Sequence, residues 1–92
     1  MINLDVVTAN DVCEHFSSRL KQLRKAKGLT QAELAEKSGV SLGSVKRFER
    51  TSQISLVSLS KICIALKVEN ELMDLFNTPH YSSIEEVIAE NA

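Results

Sequence analysis

In the stretch GVSLGSVKRFER, residues 39–50, the cations Lys46, Arg47 and Arg50 follow a glycine at position 43. Ammonium and guanidinium groups only donate hydrogen bonds, so a cluster of them binds anions and polar acceptors and takes no proton from a substrate. On a helix of about 3.6 residues per turn, Val45 and Phe48 fall on one side. Lys46, Arg50, Gly43 and Arg47 fall on the opposite arc, with Leu42 at its edge. That face is small at its N-terminal end and cationic beyond it. The plain alternative is a solvated face whose charges serve solubility alone.

Other chemistry has little support. His15 and His80 stand alone, with no nucleophile at motif spacing and no glycine-rich phosphate loop, so no catalytic role and no cofactor are expected. Cys13 and Cys63 lack the paired spacing of a zinc site; no metal is expected, and both are read as buried free thiols. Four aromatic residues, Phe16, Phe48, Phe76 and Tyr81, are too few for a platform that stacks single-stranded bases.

A length of 92 residues fits one domain with a single core. The net charge of −1 conceals a segregation: residues 19–50 hold nine basic residues against three acids, a net of +6, and the remainder holds two against nine, a net of −7. A basic middle between acidic ends points to an anionic partner for one part of the chain. No apolar run is long enough to span a bilayer, and acid stands where a signal peptide carries base, so a cytoplasmic location and no membrane partner are expected.

The elements that must position the cationic face are helical, because no segment alternates apolar and polar residues as a strand would. Thr8 with Asp11 signals the start of a first helix with Val12, Phe16, Leu20 and Leu23 on its apolar side, stopped by Gly28. Thr30 with Glu33 opens a short helix over 31–38, closed by Gly39. Ser41 caps the next helix, over 42–50. Two short helices joined by a three-residue glycine loop form a helix-turn-helix. Ser55 caps a fourth helix with Leu56, Leu59, Ile62, Cys63 and Leu66 on one face, and Asn70 is expected to cap a fifth over 71–76.

The segment RLKQLRKAKGLTQAELAEKSGVSLGSVKRFER, continued by SLVSLSKICIALKV, resembles the lambda-repressor-like Cro/XRE helix-turn-helix family over roughly residues 16–76. The resemblance implies an all-α fold, a compact five-helix DNA-binding domain over 11–77 with the helix-turn-helix at about 30–50, preceded by an arm, 1–10, and followed by an acidic amphipathic tail, 78–92, helical in pattern. It implies a sequence-specific regulator of transcription that binds double-stranded DNA with helix 42–50 in the major groove. By the same resemblance Leu29, Leu34, Ala35, Val40, Val45 and Phe48 form the core, and Arg24 and Glu49 bridge the first helix to the recognition helix. Gln31 meets a backbone phosphate and braces a neighbouring side chain.

Departures from the family pattern narrow the reading. Leu42 and Gly43 stand where phage repressors carry glutamines that read adenine, so that contact is not available. Leu42 is left to touch a thymine methyl, Gly43 to admit close approach, and Arg47 to read guanine O6 and N7. Ser41, Ser44, Lys46, Arg50 and Gln31 are assigned to phosphates. The loop after Glu49 lacks the family's asparagine-glycine and offers Thr51, Ser52 and Gln53 instead.

A domain this small reads one half-site, and the resemblance implies a homodimer on a palindromic operator, acting as a repressor or autorepressor. Leu72, Met73, Leu75 and Phe76, with Ile84, Val87 and Ile88 in the tail, supply surplus apolar surface for a dimer or another protein, unless the tail folds back over the core. Size and the ending NTPHYSSIEEVIAEN are also similar to HipB-like antitoxins, which implies as the alternative a kinase-like toxin as partner.

Overall fold

Two threonines start helices by the same device. Thr8 Oγ1 accepts the Asp11 N–H at 3.1 Å while the Asp11 carboxylate accepts the Thr8 N–H at 3.0 Å. Thr30 and Glu33 repeat the exchange at 3.0 and 2.9 Å. Each box satisfies backbone donors that a helix start leaves without partners. The computed structural model describes residues 6–78, and its regular elements are α1 (Ala9–Ala26), α2 (Gln31–Ser38), α3 (Leu42–Thr51), α4 (Leu56–Ala65) and α5 (Glu69–Met73). Ser41 and Ser55 cap α3 and α4, each accepting the N–H three residues ahead. Among the described residues there is no strand, and no helix is long and apolar enough to cross a membrane. The all-helical, five-helix expectation holds.

Glycine is required where helices stop. Gly28, at φ +71°, follows α1, and Gly39, at φ +75°, ends α2. Both lie in the left-handed region, which a Cβ disfavours. The Gly39 N–H returns to the Ala35 carbonyl at 3.0 Å, and the chain turns from α2 into α3 within three residues.

Leu20, Leu34, Val40, Val45, Phe48, Ile62, Cys63 and Leu66 form the buried core, flanked by half-buried Leu23, Leu29, Ala35, Ile54 and Leu59. It lies between α1, α2, α3 and α4. Val45 is fully enclosed and Phe48 is 2% exposed, so α3 is held by its apolar side and its opposite side is turned outward.

Several expectations are corrected. Cys13 is exposed; only Cys63 is buried. Val12 and Leu56 face solvent, Leu56 at 71%, because each stands at the outer end of its helix, past the reach of the core. The fifth helix begins earlier than expected, over Glu69–Met73, and Val68 rather than Asn70 is its N-cap, with no side-chain cap bond. A left-handed Lys67, at φ +62°, ends α4, and the Val68 N–H bonds the Cys63 carbonyl at 2.9 Å. That turn delivers the chain directly into α5 and leaves Asn70 inside it. The tail expected over 78–92 lies, from residue 79 on, outside the described residues.

Gly43 differs from the other two glycines. Its φ is ordinary for a helix and a Cβ built on it meets nothing within 4 Å. Gly43→Ala is therefore expected to stabilise the fold by up to about 1 kcal/mol, whereas Gly39→Ala, forced into the left-handed region, costs about 1–2 kcal/mol. Urea denaturation of the two variants checks the opposite signs.

Candidate nucleic-acid interface

The outward side of α3 carries Leu42, Gly43, Lys46, Arg47 and Arg50, all exposed. Burial of Val45 and Phe48 fixes this, since residues three or four apart share a helix face and the cations fall opposite the core. Ser41 and Ser44, just beside them, are tied to each other: Ser41 Oγ accepts the Ser44 N–H at 3.1 Å and donates to Ser44 Oγ at 2.8 Å. The Ser41 hydroxyl hydrogen is thus held within the cap.

What holds α3 at its angle is a buried ion pair. Arg24, near the end of α1, donates through Nε to Glu49 Oε2 at 2.7 Å and through Nη2 to Oε1 at 2.9 Å. Its Nη1 donates to the Leu29 carbonyl at 2.7 Å. The two side chains are 8% and 4% exposed, so this is a two-pronged bond in a desolvated place, where geometry decides whether it stabilises. Gln31, the first residue of α2, adds a third donor: its Nε2 reaches Glu49 Oε1 at 3.0 Å. Helices α1, α2 and α3 meet on one carboxylate. The Gln31 amide keeps one N–H for an outside acceptor.

Burial by itself raises the Glu49 carboxyl, but hydrogen bonds from Arg24 and Gln31, with the charges of Arg24 and Lys21, overcome it and hold the group below the ordinary value of 4.5. Glu33, in the exposed capping box, is also lowered, first by the Thr30 backbone N–H and then by its hydroxyl. Neither carboxylate competes freely for the cations of α3.

Past α3 the chain makes an unexpected turn. Ser52 sits at φ +64° without being glycine. Its N–H bonds the Phe48 carbonyl at 2.8 Å, and its hydroxyl lies 2.6 Å from that of Ser17, which is buried on α1. The turn carries Gln53 back alongside α3, where Arg47 Nη2 donates to Gln53 Oε1 at 2.7 Å. Ser44, Arg47, Gln53, Ile54, Ser55 and Ser58 line a polar cleft of about 340 Å³ between α3 and the start of α4. Sequence reasoning placed Arg47 on the outer face but did not pair it with Gln53 or bring Ser55 and Ser58 beside it; a serine in a left-handed turn leaves no mark in the sequence.

The lowered Glu49 carboxyl fixes the sign of an acid response. Its contribution is complete above the unfolded value, near 4.5, and is lost as pH falls through the lower folded value. Glu49→Gln, which leaves the Arg24 charge buried without its counterion, is expected to cost about 3–5 kcal/mol at neutral pH. The gap from wild type should narrow as pH falls below that value. Thermal unfolding at a series of pH values measures both.

A family model described as helix-turn-helix matches residues 20–69, which takes in the end of α1, all of α2, α3 and α4, and the ion pair between α1 and α3. Comparison with curated proteins and with solved structures gave no match. With more than half of the chain inside the family match and two short helices joined by a three-residue turn at Gly39, the chain belongs to the Cro/C1-type helix-turn-helix family of DNA-binding transcription regulators.

Proposed function

We propose that the protein is a dimeric repressor that binds a palindromic operator, with α3 in the major groove and Arg47 as its base reader. The observation that carries this is the open ground at Gly43. The fold does not ask for glycine there, since a Cβ would meet nothing within 4 Å, and glycine in a helix costs up to about 1 kcal/mol. A reason outside the domain is a surface that must come very close, and the cations Lys46, Arg47 and Arg50 on the same face match the charge of DNA.

In this reading Arg47 gives two N–H groups to guanine O6 and N7, and Leu42 meets a thymine methyl. Lys46, Arg50, Ser44 and the free N–H of Gln31 set the register on phosphates. Ser41, whose hydroxyl hydrogen is taken by Ser44, contributes through the helix N-terminus it caps.

The dimer has its own support. Met73 is 79% exposed and Phe76 92%, and Leu75 between them in the chain is exposed too; such large apolar side chains are disfavoured in water and a second copy would cover them. The alternative partner, a toxin, drew on a tail that lies almost wholly outside the described residues, and no observation here favours it.

Selection from a randomised duplex library should yield a short palindrome whose affinity falls steeply with salt. Arg47→Ala should relax one position by about 1–3 kcal/mol, while Lys46→Ala weakens all sequences alike. Unchanged affinity and preference in Arg47→Ala would refute the base-reading role. For the dimer, a Met73→Asp, Phe76→Asp variant should sediment as a monomer and lose most affinity for the two-half-site duplex; a variant that remains dimeric would move the interface elsewhere.

A further inference from the structure

We infer that Gln53 is a positioning residue that holds Arg47 in the orientation it uses on DNA, and so takes part in sequence preference without touching a base. This rests on the base-reading role of Arg47 given above.

Arginine has many rotamers, and ordering one such side chain on binding weakens the contact it makes. Arg47 is exposed, so burial does not fix its rotamer. The bond from Nη2 to Gln53 Oε1, at 2.7 Å, removes much of that freedom before any DNA arrives. A guanidinium has five N–H groups and no acceptor. One goes to Gln53, and enough remain to meet guanine O6 and N7 together. An amide suits this task better than a carboxylate would. A carboxylate at position 53 would take both prongs of the fork, compete with guanine for them, and repel the phosphates.

Gln53 is itself anchored, and by the same residue it orients. Thr51 Oγ1 donates to the Arg47 carbonyl at 2.7 Å and accepts the Gln53 N–H at 3.3 Å. From Arg47 backbone to Thr51, to Gln53, and back to the Arg47 guanidinium, the hydrogen bonds form a closed ring. Ser52, between Thr51 and Gln53, is pinned in its left-handed turn by Phe48 and Ser17. The Thr51 bond holds the backbone of Gln53, which fixes where its side chain starts; the side chain itself is held by Arg47. Arg47 and Gln53 line the polar cleft together with Ser44, Ser55 and Ser58.

A double-mutant cycle on the duplex recovered by selection tests this. Preference is read as the ratio of dissociation constants for that duplex and for one with the Arg47-dependent guanine replaced. Gln53→Ala is expected to lower the ratio about two- to ten-fold, the cost of ordering one long side chain, while its unfolding midpoint stays that of wild type. In an Arg47→Ala background the same change should have no further effect. Gln53→Glu should lower the ratio at least as far. A loss that persists without Arg47 would mean that Gln53 contacts DNA itself, and an unchanged ratio in Gln53→Ala would mean that the bond is idle; either overturns the inference while Arg47 remains the reader. If Arg47→Ala leaves the ratio untouched, the base-reading role falls, and this inference with it.

Discussion

One carboxylate organises the molecule. Glu49 receives two bonds from Arg24 and one from Gln31, and these residues stand on three different helices. Apolar packing of Val45 and Phe48 keeps α3 against the core, but such contacts tolerate small rotations. Directional bonds between a planar guanidinium and a carboxylate do not. The core therefore supplies the attraction and the ion pair the angle, and a recognition surface needs both, since a helix that enters a groove must present the same residues each time.

The same arrangement tidies the charge. Of the three acids within residues 19–50, Glu49 is enclosed with Arg24 and Glu33 is tied to the start of α2. Only Glu36 is left without such a bond among those described, and it belongs to α2, not α3. The cations on α3 thus face outward unopposed by carboxylates on their own helix. A chain with a net charge of −1 can in this way carry a locally positive surface, since the one acid on α3 is enclosed with Arg24 and most of the others lie in the chain's other segments.

Much of the architecture is legible from local chemistry. Capping pairs at Thr8 and Asp11 and at Thr30 and Glu33, and glycines 28 and 39, mark helix ends because they act over three or four residues, a range that a sequence displays directly. The buried and exposed sides of α3 follow from periodicity for the same reason. What depends on distant partners is not legible. Leu56 fits the apolar pattern of α4, yet whether a fourth-helix N-terminus lies over the core or past its edge is set by the crossing of other helices. The end of α4 is governed by a left-handed lysine, and the turn after α3 by a serine whose partner is 35 positions away. Of the candidate site, membership of the cationic face could be read from spacing; the pairing of Arg47 with Gln53 could not, because nothing in their types alone distinguishes it from two unrelated polar residues.

That serine has a consequence for how the chain can vary. A left-handed backbone costs a residue with a Cβ about 1–2 kcal/mol, and the bond between the hydroxyls of Ser52 and Ser17 returns about 0.5–1.5 kcal/mol. The two amounts nearly cancel only while both serines are present. Once position 17 becomes alanine, glycine is the better residue at 52; once 52 becomes glycine, the buried hydroxyl at 17 keeps only its bond to the Glu14 carbonyl, and an apolar residue can take its place. Positions 17 and 52 are therefore coupled in energy: with glycine at 52, replacing Ser17 by a small apolar residue costs less than it does in this chain.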